Sequence, residues 1–233
     1  MKDAVETATI AGATSTEHKS IGKTIRLGLY LIIKRLFDII GSLIGLVFLL
    51  PIALIVKICY MCNGDFKSVF FNQKRIGKHG KEFKFFKFRT MVKNADEVLF
   101  KMLEENEELR EEYRINKKLK DDPRITKVGK VLRKTSVDEL PQLINVFLGQ
   151  MSIIGNRPYL PREKEDMGEY FDDILKTKPG LTGYWQVSGR SNCTFEERLK
   201  LEKYYSEHFG LMMDIKIFFK TFYVVLLRKG ADK

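Results

Sequence analysis

The sequence has few of the residues that build disulfide or metal-bound frameworks. Three cysteines in 233 residues are a small, odd number, so no disulfide framework is predicted, and this fits a reducing compartment. Cys59 and Cys62 form one C-x-x-C at the end of an apolar run, without the second pair that a structural zinc site needs. His18, His79 and His208 lie far apart and share no ligand spacing, which argues against a histidine-based metal cluster.

Acidic residues are also in deficit. Lysine and arginine number 41 against 30 acidic residues, giving a net charge of +11. Such an excess indicates an anionic partner, which at this level is nucleic acid, an acidic membrane surface or a phosphorylated substrate. The length suits one domain with a short appended segment.

The first 25 residues lack an apolar period and are rich in Ala, Thr, Ser and Gly. This composition predicts a flexible polar tail over residues 1–25. It does not predict a signal peptide, because no apolar core follows at the usual distance from the start.

A long apolar run follows at residues 36–58, and its length suffices for one bilayer crossing. Pro51 lies inside the run and predicts a kink or break. Basic residues flank both ends, so the positive-inside rule gives no preferred orientation. Two readings stay open: a kinked spanning helix, and a re-entrant helix over residues 26–59 that bends at Pro51 and returns.

The polar residues at the start of this run predict how it is anchored. Lys34 and Arg35 precede it and suit a basic interfacial flank. Asp38 would be costly at the bilayer centre, so we expect it near the interface or paired with Arg35.

A basic and aromatic segment precedes residue 91. From Phe86 the residues alternate apolar and basic, which predicts a strand with Lys87 and Arg89 on one face. The Phe85–Phe86 pair shifts the phase and suggests a bulge. Such segments also occur in nucleic-acid binders, but next to a membrane segment contact with a phosphate or a lipid headgroup is favoured.

Two helices complete the coarse structure. Residues 96–112 predict one acidic helix with a solvated face. The apolar segment 211–228 carries Asp214, Lys216 and Lys220, so an interfacial amphipathic helix is cheaper than a buried span.

The adjacent carboxylates Asp138 and Glu139 are the main chemical candidates. Arg133 precedes them, and Pro141 places a helix start nearby. Ser136 and Glu139 also have the spacing of a capping box, so capping and catalysis are both open at this level.

Two loops supply further candidates. Arg157 lies in the proline-stiffened loop 155–161, and its planar fork suits bidentate contact with phosphate. The loop 178–191 has three glycines with Tyr184 and Trp185, which suits either close ligand approach or a tight turn with a core tryptophan.

Taken in order, these segments resemble the bacterial sugar transferases, small monotopic phosphoglycosyl transferases that act on polyprenyl phosphate. The resemblance covers about residues 34–228. Its motifs are Lys34-Arg-Leu-Phe-Asp38, Pro51, Phe86-Lys-Phe-Arg-Thr-Met91, Asp122-Pro-Arg-Ile-Thr126, Arg133-Lys-Thr-Ser-Val-Asp-Glu-Leu-Pro-Gln-Leu143, Gly149-Gln-Met-Ser152, Lys178-Pro-Gly-Leu-Thr-Gly183, Trp185-Gln-Val-Ser-Gly-Arg190 and Asp214-Ile-Lys216.

The resemblance implies transfer of a sugar-1-phosphate from a UDP-sugar to undecaprenyl phosphate with release of UMP, at the start of bacterial surface-glycan synthesis (exopolysaccharide, capsule, O-antigen or glycoprotein). It implies that Asp138 attacks the β-phosphate and forms a covalent phosphosugar intermediate, with Glu139 beside it and Mg²⁺ as cofactor. We expect Asp138, Glu139 and Glu202 around the metal. The expected substrate-binding residues are Lys87, Arg89, Arg133, Arg157, Pro158 and Arg190.

Three positions depart from the family pattern. Asn156 replaces a proline of the Arg157 loop, Leu50 stands where a serine often precedes Pro51, and Glu202 stands where aspartate is usual. The first bears on loop stiffness and the last on metal or substrate geometry.

The resemblance also implies an architecture and a location. We expect an α+β, mostly helical protein with a re-entrant membrane helix broken at Pro51 and a catalytic domain with short strands over residues 60–233. That domain would lie on the cytoplasmic face of the bacterial inner membrane, bound to membrane lipids and not to nucleic acid. The oligomeric state is open, a homo-oligomer included. The alternative is a non-enzymatic membrane scaffold that binds anionic lipids.

Overall fold

The structure, a computed structural model, describes the backbone of residues 2–117, 119–189 and 193–226, and the side chains of residues 24–117, 119–189 and 193–224. This part of the chain is mostly helical with short strands, which agrees with an α+β class. The helices are α1 Lys2–Cys62, α2 Ala95–Glu105, α3 Glu107–Asn116, α4 Lys127–Lys134, α5 Gln142–Phe147, α6 Lys164–Met167, α7 Tyr170–Ile174, α8 Tyr184–Ser188, α9 Phe195–His208 and α10 Leu211–Leu226. The strands are β1 Phe70–Ile76, β2 Glu82–Phe88, β3 Ser152–Ile154 and β4 Gly180–Thr182.

The chain divides into two compact units, residues 1–37 and residues 38–233. The backbone of the first unit is helical from Lys2, whereas the sequence predicts a flexible polar tail over residues 1–25. Once a helix is nucleated, each further residue adds one hydrogen bond, so an apolar helix can extend into a polar segment at little cost. The ammonium of Lys34 lies 5.9 Å from the centroid of the Tyr30 ring, one turn away.

Helix α1 continues through Pro51, whereas the sequence predicts a kink or break there. A proline removes one backbone hydrogen bond, and packing of the neighbouring turns can hold the helix across it. Leu49 and Tyr60, on either side of Pro51, both pack into a cluster with Phe88. By length and composition, residues 24–62 are long and apolar enough to cross a membrane.

Asp38, at the start of the second unit, is buried and joins this part of α1 to β3. Its Oδ1 accepts hydrogen bonds from Ser152 Oγ at 2.9 Å and from the Ile153 N–H at 2.8 Å. Both donors belong to β3, which is far from Asp38 in sequence. These partners could therefore not be predicted from the sequence. A charged group that accepts two such bonds can be buried without a large penalty.

Strands β1 and β2 form an antiparallel hairpin in continuous register, from Phe70 opposite Phe88 to Ile76 opposite Glu82. The predicted bulge at Phe85–Phe86 is wrong, because each residue of β2 has one partner in β1 throughout the hairpin. Phe83 and Phe85 pack with Val146 and Met151, while Phe88 packs on the other face. Lys87 shares the face of Phe85.

The acidic segment forms two helices where one was predicted. Asn106 ends α2 and caps α3, its side chain accepting a hydrogen bond from the Leu109 N–H at 3.0 Å. Asparagine competes well for such capping positions, and this local bond explains the division.

Parallel pairing of β3 with β4 brings two loops together. The Asn156 carbonyl accepts from the Gly180 N–H at 2.7 Å, and the Gly155 N–H donates to Thr182 O at 2.9 Å. A Cβ on Gly180 would lie 2.1 Å from Gly155 N, and one on Gly183 would lie 2.1 Å from Gly155 O. Only glycine permits this approach, so the Lys178-Pro-Gly-Leu-Thr-Gly183 motif holds the Arg157 loop in place.

Helix α10 confirms the predicted C-terminal helix as far as Leu226, and residues 227 and 228 lie outside the described part. Its exposed side chains include Met212, Phe219, Phe222 and Tyr223. Asp214 is turned inward, where its Oδ1 accepts from Tyr205 Oη at 2.8 Å.

Candidate active site

A cleft of about 1410 Å³ runs through the second unit. It is bounded by β2, the turn around Asp138, the Arg157 loop, α8, α9 and α10. Two sets of charged residues face it. We call Asp138, Glu139 and Lys87 the carboxylate wall, and Arg75, Arg157 and Arg198 with Glu163 and Glu202 the arginine wall. Glu202 belongs to the second set through its contacts and does not line the cleft.

The backbone around Ser136 turns Asp138 towards the cleft. Helix α4 ends at Lys134, and Ser136 adopts a left-handed conformation with φ of 56°. Val137–Glu139 then form a single 3₁₀ turn before α5 begins at Gln142. The predicted capping box is wrong, because Ser136 makes no capping hydrogen bond with its side chain. A non-glycine residue with positive φ is uncommon and often marks a functional site.

In the carboxylate wall, one ammonium serves two carboxylates. Lys87 Nζ lies 2.9 Å from Glu139 Oε1 and 3.6 Å from Asp138 Oδ2. Asp138 is only 6 % exposed. Burial raises the pKa of Asp138, an effect that Lys87 opposes and Glu139 reinforces, and the net shift is upward. This buried carboxylate therefore depends on a neighbouring cation to stay ionised.

Arg89 and Arg133 also line the cleft, as the sequence predicts, but both have structural partners. Arg89 is held by Asp65 at 2.8 Å and donates to the Ser68 carbonyl at 2.9 Å. Arg133 Nε donates to Thr90 Oγ1 at 3.0 Å, and its charge lowers the pKa of Asp138. Both contribute positive potential to the cleft, and Arg89 Nη2 is also buried without a hydrogen-bond partner among the described residues.

Arg157 is the centre of the arginine wall. Its Nη1 lies 3.4 Å from Glu163 Oε1, and Arg75 Nη1 lies 3.8 Å from the other oxygen of Glu163. Burial lowers the pKa of Arg157, but the combined attraction of Glu163, Tyr159 and Glu202 outweighs burial, and the pKa is raised. Burial and repulsion by Arg157 lower the pKa of Arg75. Two guanidinium groups thus share one buried carboxylate, which leaves surplus positive charge for an anion.

The ring of Phe85 connects the two walls. Lys87 Nζ lies 5.7 Å and Arg75 Cζ lies 5.2 Å from its centroid. Glu139, which belongs to the carboxylate wall, also acts on Arg75 in the arginine wall by opposing the lowering of its pKa. The carboxylate pair and the arginines therefore act on one continuous volume.

Glu202 lies away from the carboxylate pair, in the core behind Arg157. It is fully buried, and its Oε1 accepts from the Arg157 N–H at 3.0 Å. Burial raises the pKa of Glu202 to about 7, although Arg157 and Arg198 oppose the shift. Among the described residues, no group of three or more His, Cys, Asp or Glu is arranged to hold a metal ion. Glu202 thus has a positioning contact with the Arg157 backbone, and its role as a metal ligand stays a prediction.

Asp138 and Glu139 alone still fit a magnesium ion. Carboxylate oxygens are the donors that Mg²⁺ takes, and it is often held by one or two of them together with substrate phosphates. The structure places a cation at this pair already, since Lys87 Nζ lies within 4 Å of both carboxylates. The electrostatics of the pair therefore suit a positive charge.

The remaining predicted residues fall at three kinds of place. Pro158 is buried and does not line the cleft; its carbonyl accepts from Arg75 Nη1 at 3.0 Å. Asn156, which replaces a family proline, stiffens the same loop by donating to Ser206 Oγ at 2.6 Å and to the Ile174 carbonyl at 3.1 Å. Arg190 lies outside the described residues.

Arg198 is a cleft residue that the sequence reasoning missed. It lies on α9, where the buried positions Phe195, Arg198, Leu199 and Glu202 follow helical spacing. The signal was available in principle, because a basic residue on the apolar face of an amphipathic helix is unusual. The sequence pattern, however, did not predict which cavity that face of the helix would line.

Apolar side chains form a further part of the cleft lining. They come from β3, β4, α8 and α10 and are Ile153, Leu181, Val187, Phe218, Phe222 and Val224. A single volume that joins ionised groups to an apolar lining suits a substrate with both kinds of surface.

Comparison with known proteins identifies relatives of the chain. The chain is 42% identical over 198 residues to the exopolysaccharide production protein ExoY of Sinorhizobium fredii, covering 85% of this chain and 87% of that protein. It is 44% identical over 199 residues to the undecaprenyl-phosphate galactose phosphotransferase of Salmonella typhimurium. It is 34% identical over 214 residues to the UDP-glucose:undecaprenyl-phosphate glucose-1-phosphate transferase of Klebsiella pneumoniae.

The coverage of these relatives differs. The alignments cover 85% and 88% of this chain for the galactose and glucose enzymes, but only 41% and 42% of those two proteins. The chain thus spans less than half the length of both. The sequence profile of the bacterial sugar transferases matches residues 29–228, which include the whole cleft. The chain belongs to the bacterial sugar transferase family.

Proposed function

We propose that the protein transfers a sugar-1-phosphate from a UDP-sugar to undecaprenyl phosphate and releases UMP, as an initiating step in bacterial surface-glycan synthesis. One observation carries this most directly. A buried carboxylate, Asp138, faces a cleft whose other charged residues are mainly basic. Relatives named as undecaprenyl-phosphate sugar transferases support the same assignment.

The proposed reaction has two steps. A carboxylate oxygen of Asp138 attacks the β-phosphorus of the UDP-sugar, the bond to the bridging oxygen breaks, and UMP leaves. An oxygen of undecaprenyl phosphate then attacks the phosphosugar on Asp138 and restores the carboxylate. Splitting the transfer in two lets UMP leave before the lipid phosphate attacks, so the diphosphate donor and undecaprenyl phosphate need not react with each other directly.

The surrounding residues would control charge. Lys87 holds Asp138 ionised and can neutralise a phosphate oxygen as that carboxylate is consumed. Arg157 presents a planar fork that suits two oxygens of one phosphate, and Glu163 fixes its orientation. Asp138 and Glu139 would hold Mg²⁺, which when bound neutralises phosphate charge.

Membrane association follows from the second substrate, since undecaprenyl phosphate resides in a bilayer. Within the second unit, α1 from Asp38 onwards packs on the domain through one face and exposes Val47, Leu50 and Leu54 on another. Helix α10 exposes Phe219 and Phe222 beside Lys216 and Lys220. Apolar side chains next to lysines suit the boundary between acyl chains and anionic headgroups. The proposal puts the domain at the cytoplasmic face of the inner membrane with a re-entrant α1, which requires the continuous helix to bend at Pro51 in the bilayer.

The activity is tested by incubating purified protein in detergent with Mg²⁺, undecaprenyl phosphate and a panel of UDP-sugars that includes UDP-galactose and UDP-glucose. We expect UMP release and labelled lipid with at least one sugar. Without acceptor, label from the sugar phosphate should attach to the protein and be absent in Asp138→Asn. Absence of product across the panel would reject the function and favour a lipid-binding scaffold.

The topology is tested by thiol labelling. Cys59 and Cys62 are exposed free thiols at the end of α1. A second reporter, Lys34→Cys in a variant with Cys59 and Cys62 replaced by serine, marks the other end. A re-entrant α1 predicts that an impermeant reagent labels both ends only from the cytoplasmic side. Labelling from opposite sides would establish a spanning helix.

A further inference from the structure

Arg198 is a buried cation without a polar partner among the residues that the structure describes. It is 5 % exposed and lines the cleft. Its contacts are with ring faces: its Cζ lies 4.7 Å from the centroid of Trp185 and 5.8 Å from that of Phe195. Its Nε is buried and makes no hydrogen bond.

Another buried arginine of the same fold shows what a structural role looks like. Arg124 is 6 % exposed and forms a two-point pair with Asp122, at 2.8 Å and 2.6 Å. Among the described residues Arg198 has no such pair. Burying a charge without a hydrogen-bonded partner is unfavourable, so a ligand that supplies this partner would be favoured there. Burial, with repulsion from Arg157, lowers the pKa of Arg198, and attraction by Glu202 and Glu163 opposes the shift without cancelling it.

Trp185 adds a second donor next to Arg198. Its Nε1 is buried and has no hydrogen-bond partner in the part of the chain that the structure describes, and the residue lines the same cleft. A guanidinium and an indole N–H that lack acceptors suit a ligand that brings acceptor oxygens with negative charge. Among the groups of the proposed substrates, phosphate is the one with that chemistry.

The neighbours of Arg198 indicate which phosphate it meets. Arg157 acts electrostatically on both Arg198 and Arg75, and Arg75 shares the Phe85 ring with Lys87 at the nucleophile. The cations that act most strongly on Asp138 are Lys87 and Arg133, whereas Arg198 lies against the rings of Trp185 and Phe195. A phosphate bound at Arg198 is then a different one from the phosphate that Asp138 attacks.

We propose that Arg198, assisted by Trp185 Nε1, binds the α-phosphate of the nucleotide donor, the phosphate that leaves with UMP. This rests on the proposed function and deepens it, because it assigns the retained phosphate to a site of its own. Binding would supply the partner that Arg198 lacks, and the positive charge would stabilise UMP as it departs.

The test compares UMP with uridine, which differ only by this phosphate. Affinities are measured by calorimetry on the purified full chain in detergent, for wild type, Arg198→Gln and Lys200→Gln. Lys200 lies on the same helix, is solvent-exposed and pairs with Glu196, so it is the matched control. We expect Arg198→Gln to weaken UMP about ten- to a hundred-fold and leave uridine unchanged. Lys200→Gln should change neither.

Two further measurements separate the alternatives. Trp185→Phe keeps an aromatic face and removes the N–H, so UMP should weaken by a smaller factor. The melting temperature of Arg198→Gln without nucleotide should equal or exceed that of wild type, since an unpaired charge is removed. A lower melting temperature with equal losses for UMP and uridine would overturn the proposal in favour of a structural role.

Steady-state kinetics show whether Arg198 binds a phosphate of the UDP-sugar or that of undecaprenyl phosphate. They also separate failure of this site from failure of the proposed function. In Arg198→Gln the KM for the UDP-sugar should rise while the KM for undecaprenyl phosphate stays constant. A rise for the lipid alone would move the site to the acceptor and overturn the assignment. If the wild-type protein turns over UDP-sugars but Arg198→Gln binds UMP with unchanged affinity, the phosphate site is refuted and the proposed function stands. If the wild-type protein is inactive, the proposed function itself is refuted.

Discussion

The carboxylate wall and the arginine wall face one cleft but have opposite balances of charge. On the first, a single lysine serves two carboxylates, and the pKa of buried Asp138 is raised. On the second, three guanidinium groups surround Glu163 and Glu202, and the pKa of Glu202 is raised to about 7. One wall is short of positive charge and the other has a surplus. The contrast suits a division of labour in which the first wall reacts with phosphate and the second binds it.

The largest expected effect tests the first half of this contrast. Asp138→Asn should lower turnover by about three orders of magnitude or more, since the nucleophile is removed. Because burial favours the neutral form of Asp138, the neutral amide should leave the melting temperature unchanged or higher at pH 7. Radiolabel transfer and thermal melting provide the two readouts. Asp172→Asn, an exposed carboxylate, is the control; substantial residual turnover in Asp138→Asn would remove it as nucleophile.

The next effect tests the second wall. Arg157→Lys keeps the charge but loses the fork that Glu163 orients, so kcat/KM should fall about a hundred-fold, mostly through the KM for the UDP-sugar. Steady-state kinetics with varied UDP-sugar measure this split. Arg114→Gln removes an exposed arginine that pairs with Glu111 and should be neutral. A loss confined to kcat would place Arg157 with the reacting group instead of with binding.

A third prediction concerns stability and pH. The folded pKa of Glu202 is about 7, above its ordinary value of 4.5, so the folded state binds more protons than the unfolded state between these values. Stability is therefore lost as pH rises from about 4.5 to 7, by at most about 3 kcal/mol. Glu202→Gln should match wild type at pH 5 and melt higher at pH 8.

The same melting experiment needs a matched control. Glu207 lies on the same helix, is exposed, and has Lys203 at 4.0 Å. Glu207→Gln should show the same pH dependence as wild type. An equal gain at pH 5 and pH 8 for Glu202→Gln would contradict a buried titrating carboxylate.

The smallest effect concerns the lysine that serves both carboxylates. Lys87→Gln removes an attraction that lowers the pKa of Asp138, so the acid limb of the kcat/KM profile should move to higher pH. At pH 7 the rate should fall about tenfold. Lys84→Gln, an exposed lysine on the same strand, should leave the profile in place. An unmoved acid limb in Lys87→Gln would mean that another group sets it.

The sequence was most informative where a short motif carries the chemistry. It predicted that Lys87, Arg89, Arg133, Asp138, Glu139 and Arg157 belong to one site, and all six line one cleft. It failed where local patterns were ambiguous. The Phe85–Phe86 pair looked like a bulge, but the strands pair in continuous register, and Phe85 and Phe88 belong to different core clusters. Ser136 looked like a cap, but the backbone is left-handed there.

Residue type and order by themselves determined the family, the apolar helix and the set of charged residues, because these depend on chemistry that adjacent side chains carry. Only the tertiary structure decided how those charges are paired. Helix α9 brings Glu202 to the Arg157 backbone and Arg198 to the face of Trp185, and pairing of β3 with β4 holds the loop between them. Burial and partner choice are properties of contacts between distant segments, so a pattern along the chain could not separate a satisfied arginine from one that still needs a ligand.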